Sequence, residues 1–175
     1  AHVEASRKAG VRITADMYLY TAGATGLDAS MPPWVQEGGY DKWAERLRDP
    51  AIRARVAADM KAQNPTWENL LQRAGPDGLL FLAFHNPALR GYIGKTLTEV
   101  ARDRHTTPEE AAMQLVVEDG SRVGVAYFLM SEDNIRRQVA LPWVSFGADA
   151  GAPAPEIALR GVRVLLADGN PADRE

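Results

Sequence analysis

The chain has no cysteine at all, so a disulfide, a cysteine nucleophile and a cysteine-held zinc are excluded within these 175 residues. That absence fits a cytoplasmic setting. Histidine is scarce: only His2, His85 and His105 occur, too far apart for a His-x-His or His-x3-His metal pair. No apolar run approaches the roughly 18 residues of a membrane-spanning helix. Residues 1–10, AHVEASRKAG, have no apolar core of a signal peptide. Charge of either sign is not in excess: 20 basic and 23 acidic residues are interspersed and give a net charge of −3. A basic footprint for nucleic acid and a polybasic membrane patch are thereby both missing. What remains is an ordinary globular composition, 46% hydrophobic and 25% charged, at one-domain length.

Punctuation by glycine, proline and capping residues divides the chain. AHVEASRKAG reads as the end of a helix closed at Gly10, which suggests that a segment precedes it. VRITADMYLY, 11–20, alternates apolar and polar residues as a strand does. Residues 21–39 read as a long loop with Gly23, Gly26, Gly38-Gly39 and Pro32-Pro33, a length that is uncommon unless functional. Helices are expected after Asp41, after Asp49-Pro50, and after Thr66 up to Gly75. Two capping boxes, Thr96-x-x-Glu99 and Thr107-x-x-Glu110, open two more, the second closed by Gly120. Ser131 is placed to cap a last helix. LLFLAF (79–84), GVAYFLM (124–130) and WVSFGAD (143–149) are continuous apolar runs of strand length. Strands alternating with helices in this way predict an α/β fold with a parallel sheet.

In parallel α/β folds, chemistry collects at the carboxyl ends of strands. Two such ends carry reactive side chains: Asp16, Tyr18 and Tyr20 on the first strand, and Asp149 on the last. Asp149 has two readings. A carboxylate half withdrawn from water can move a proton between an attacking water and a leaving group, or it can cap the turn at Asp149-Ala150-Gly151. Alternation puts Tyr18 and Tyr20 on one side of their strand, as substrate contacts or as amphipathic wall. His85 and His105 read as loop residues. Gly94-Lys95-Thr96 echoes a phosphate-binding loop, but the required upstream glycine is absent and Thr96 is better used as a cap. Arg53, Arg55, Arg136 and Arg137 read as solvated helix faces.

Longer stretches carry a resemblance. ITADMYLYTAGATGLDASMPPWVQEGG, DPAIRARV, GKTLTEVA and EDGSRVGVAYFLMSEDNIRRQVALPWVSFGADAGAPAPE resemble N-acyl-D-amino-acid deacylases (D-aminoacylases) of the amidohydrolase superfamily, over about residues 3–156. The resemblance implies a TIM-type (β/α)8 barrel, of which this chain would be the C-terminal part: last strands and helices with an active-site insertion at 21–39. It implies zinc-dependent hydrolysis of the amide of an N-acyl-D-amino acid, the metal activating a water. Asp149 matches the aspartate that passes a proton to the departing D-amino acid, although Ala148 stands where the family usually has serine. Tyr18 matches a tyrosine near the substrate, with Leu19 where proline is usual. The family's zinc ligands fall before residue 1, so no metal ligand is expected within this chain, and the 175 residues alone are expected to be inactive. Remaining barrel segments or self-association would cover the open sheet edges. Residues 157–175 form a tail with no assigned place. A non-catalytic remnant or interaction module is the alternative.

Overall fold

The computed structural model describes residues 2–62 and 67–148. Helix α1 (His2–Lys8) ends as expected, with Gly10 at φ +89°. Strand β1 is only Ala15–Tyr18, the carboxyl half of the anticipated run. The stretch read as a loop then yields β2 (Ala22–Gly26), a 3-10 turn at Leu27–Ser30 and a short α2 (Pro33–Gln36). Next come α3 (Tyr40–Arg46), α4 (Pro50–Lys61) and α5 (Leu70–Ala74). Strand β3 (Leu79–Ala83) is followed by α6 (Leu97–Asp103) and α7 (Pro108–Asp119). Strand β4 (Gly124–Phe128), α8 (Glu132–Val139) and β5 (Val144–Gly147) complete the order.

The caps explain most helix boundaries. Asp49 accepts from the amides of Ala51 and Ile52 and starts α4 behind Pro50. Thr96 and Glu99 form the full reciprocal box at α6. Thr107 caps α7, but the Glu110 carboxylate turns away to Arg53. Gly39, rather than Asp41, precedes α3, and Asn69 caps α5; Thr66 lies outside the described residues. Ser131 sits at the N-cap of α8 without a side-chain bond. Thr96→Ala should therefore cost about 1 kcal/mol, read as a fall of about 2–4 °C in the thermal midpoint.

The single parallel sheet is corrected to two sheets. β1 and β5 pair in parallel, Ala15 with Val144 through Tyr18 with Gly147. The other three strands form an antiparallel sheet in the order β2-β4-β3. The chain thus leaves the end of β1, builds a separate α/β unit, and returns through α8 to pair β5 beside β1. Residues 21–39, expected as an active-site insertion, form the start of this unit, which runs from β2 to β4 as an insert between β1 and α8. Every residue of the buried hydrophobic cluster falls between Leu27 and Tyr127. Among the described residues outside that span, Met17 alone is a buried hydrophobic, and neither α1 nor α8 buries a residue.

Inside the insert, one face of the antiparallel sheet carries Leu79, Phe81, Val125 and Tyr127, all fully buried; α6 packs on β3 and α5 on β4. Phe81 stacks on Phe84 with centroids 5.3 Å apart. Tyr127 satisfies its hydroxyl with Ser30 Oγ at 2.7 Å and the Gly26 carbonyl at 3.2 Å, and burial pushes its phenol well above the usual range. A Cβ at Gly26 would lie 2.1 Å from Asp28 Oδ1, so a side chain there requires the Asp28 carboxylate to move.

Candidate functional site

Parallel pairing in register brings the carboxyl ends of β1 and β5 side by side, with Tyr18 opposite Gly147. β1 and β5 are tied by more than backbone. Ser145, paired with Asp16, donates its hydroxyl to Asp16 Oδ1 across the strands. The amide of Ala15 donates to the Trp143 carbonyl at 3.2 Å. Trp143 in turn donates from Nε1 to Glu4 at 2.6 Å and lies under the Arg7 guanidinium, which fixes α1 at the entrance to β5.

A cleft of about 580 Å³ opens at these strand ends. Asp16, Met17, Tyr18 and Gly147 form the strand side; Gly23 and Ala24 of the insert, with Met130 two residues past it, form the other. The insert is anchored there because the amides of Leu129 and Met130 both donate to the Thr21 carbonyl, at 3.1 and 3.0 Å. Tyr18 donates its hydroxyl proton to the Ala22 carbonyl at 3.2 Å, so it offers a ligand an acceptor lone pair and a ring face. Tyr20 packs edge-on against it, centroids 5.2 Å apart, and is itself exposed. Asp149 lies outside the described residues; the strand that leads to it stops at Gly147, two positions earlier.

The other candidates do not join this cleft. His2, His85 and His105 are exposed and do not line it. Among the described residues no three of His, Cys, Asp and Glu gather closely enough to hold a metal ion. The described residues therefore do not fit a zinc ion, and no step through one follows from them. Lys95 pairs with Asp103 at 2.7 Å and Thr96 caps α6, so the Gly-Lys-Thr triplet has no phosphate to hold. Arg53 is not on a solvated face: it is mostly buried, forks onto the Glu110 carboxylate and donates to the Leu47 carbonyl at 2.9 Å. Arg55 lies 4.1 Å over the Trp34 ring. Arg136 pairs with Glu132 one turn earlier. A second cavity of about 680 Å³, beside Thr25, Tyr40 and Arg122, has its guanidinium held by Asp28 at 2.6 Å.

Reading the sequence alone missed Gly23, Ala24, Met130 and Ser145. Met130 ends an apolar run, which signals burial but not the cleft it borders. Ser145 could be read from strand alternation only once its partner Asp16 was known.

The class of protein these features define is a mixed α/β protein with a cleft between a parallel strand pair and an inserted α/β unit. Among the described residues no helix is long and apolar enough to cross a membrane. No protein-family model matches the chain, and no curated protein matches it. Among solved structures it is similar to two. One is the N-acyl-D-glutamate deacylase of Bordetella bronchiseptica, complexed with zinc and a phosphonate inhibitor that mimics the tetrahedral intermediate. That likeness has 19% identity over 85% of this chain and 21% of the other, with a TM-score of 0.45. The other is a D-aminoacylase that defines a novel subset of amidohydrolases, at 19% identity over 83% and 21% of the two chains, TM-score 0.43. The chain spans 21% of the length of each of these structures.

Proposed function

We propose that this chain is part of a metal-dependent amidohydrolase that hydrolyses the amide bond of N-acyl-D-amino acids to a D-amino acid and a carboxylate. One observation carries the reading: β1 and β5 run parallel and in register, Tyr18 opposite Gly147, with a cleft at their carboxyl ends. Strand ends of that kind are where α/β enzymes keep their chemistry. The pairing joins Asp16-Met17-Tyr18, the start of DMYLY, to Phe146-Gly147, the start of FGADAG, and these words carry the resemblance to D-aminoacylases.

In this reading the Asp149 carboxylate takes the proton that the attacking water sheds and delivers it to the departing nitrogen. Tyr18 orients the substrate through its ring and hydroxyl oxygen. Zinc, expected from the resemblance, would be held by residues outside those described, on further barrel segments. Residues 1–156 would form the barrel portion, with 157–175 as a tail.

The test is an amide-hydrolysis assay on N-acetyl-D-amino acids with added zinc. The purified 175 residues should show no turnover. Co-expressed with a His-bearing barrel segment that restores activity, Asp149→Asn should lower kcat about 10²–10⁴-fold, and Tyr18→Phe should lower kcat/KM far less. Full activity of Asp149→Asn, or turnover of N-acyl-L-amino acids alone, would overturn the assignment.

The second reading, a non-catalytic interaction module, is favoured by the exposure of Phe146, Val11 and Val139 around the β1/β5 pair. A clean monomer by light scattering, with no self-association, would count against it.

A further inference from the structure

The side chains at the cleft have an uneven hydrogen-bond inventory. Ser145 gives its hydroxyl proton to Asp16 Oδ1, and Tyr18 gives its own to the Ala22 carbonyl at 3.2 Å. Both protons are spent within the protein. What the lining side chains leave for an occupant are acceptors: the second carboxylate oxygen of Asp16, the phenol oxygen and ring face of Tyr18, and the Met130 thioether. Met17, Gly23, Ala24 and Gly147 complete the lining and add no polar side chain. Asp16 is the one charged residue among them. It is exposed, and no salt bridge among the described residues takes up its carboxylate.

Side chains that offer only acceptors, with one negative charge among them, suit a cation that brings several donors. Ammonium and guanidinium groups do so and carry no acceptor of their own. The spacing suits them too. Asp16 and Tyr18 stand two residues apart on β1 and therefore on one side of it, about 7 Å apart along the strand. A cation between them meets a carboxylate and an electron-rich ring together. We propose that Asp16 is the specificity-determining residue of the cleft and receives a basic side chain, lysine-like or arginine-like, of the N-acyl-D-amino acid, an inference that rests on the functional reading above. The carboxylate that every N-acyl-amino acid carries finds no cation in this lining, so the side chain is the part that reaches Asp16. The same charge disfavours an acidic side chain there.

Methionine methyls of the full chain report on binding. Met130 borders the cleft, while Met31, Met60 and Met113 are buried in the insert's core. Protein labelled with ¹³C-methyl methionine is titrated with three probes: Nα-acetyl-D-lysine, Nα-acetyl-D-norleucine, which has the same stem without the ammonium, and Nα-acetyl-D-glutamate. The Met130 methyl should move while the core methyls stay, with the lysine probe bound about tenfold tighter than the norleucine probe and the glutamate probe weakest. Added salt should shrink the lysine advantage. Asp16→Asn should bring the lysine and norleucine probes to within about twofold of each other. Unchanged core methyl shifts establish that this variant is folded. Norleucine bound as tightly as lysine, with Met130 still responding, overturns the role of Asp16 and leaves the functional reading standing. A lysine advantage that survives Asp16→Asn also overturns it. No Met130 response to any of the three probes overturns both readings.

Discussion

Phe81→Ala is expected to cost about 3–5 kcal/mol of stability, and Phe146→Ala less than about 0.5 kcal/mol. Both are phenylalanines on strands, and their neighbours set the difference. Phe81 is fully buried at the centre of β3, paired with Val125 and stacked on Phe84. Truncating it removes the transfer free energy of an aromatic side chain and leaves a void that the close-packed core around β3 and β4 cannot close. Phe146 lies on β5 and is 57% exposed, so its ring has little burial to lose. Urea unfolding of the two variants measures the contrast. A comparable loss from both would mean that the β1/β5 pair shares in the cooperative core, against the confinement of that core to residues between Leu27 and Tyr127.

The elements legible in the sequence are those with local causes. LLFLAF, GVAYFLM and WVSFGAD each contain a strand because a continuous apolar run of that length has few other uses. Asp49, Thr96 and Thr107 mark helix starts because a cap bonds within three residues of itself. What escaped is what partners decide. Ala22-Gly23-Ala24-Thr25-Gly26 has small residues and two glycines, no strand signal of its own, and becomes β2 by pairing with β4. Strand direction is equally non-local: helix–strand alternation suggested parallel β3 and β4, but they pair antiparallel, Leu79 opposite Tyr127 and Phe81 opposite Val125. Arg53 looked like surface charge until Glu110, 57 residues away, supplied its partner. At the cleft, Tyr18 was legible as the polar end of an apolar strand; its bond to the Ala22 carbonyl was not, because it depends on where the insert begins.

Asp119→Ala should be the most damaging polar substitution, at about 3 kcal/mol, or a fall of about 6–12 °C in the thermal midpoint. Asp119 ends α7 and is only 2% exposed. Its carboxylate accepts from the Asn86 amide at 2.9 Å and from the Ser121 hydroxyl, and Ser121 Oγ accepts from the Val123 amide at 3.0 Å. Alanine leaves the Asn86 amide without its acceptor and frees Ser121 from its own. The consequence spreads because Val123 is a β-branched residue at φ +57°, a conformation that persists only where its surroundings impose it. The carbonyls of Arg122 and Val123 take the Leu27 amide at 2.8 and 3.1 Å, which locks the end of β2 to the start of β4. Loosening the turn should therefore speed hydrogen exchange at Leu27 by at least tenfold, ahead of global unfolding. Asp119→Asn keeps an acceptor oxygen of the same reach and should recover most of the loss. If asparagine is as destabilising as alanine, one acceptor oxygen does not suffice, and the turn is held by both carboxylate oxygens acting at once on Asn86 and Ser121.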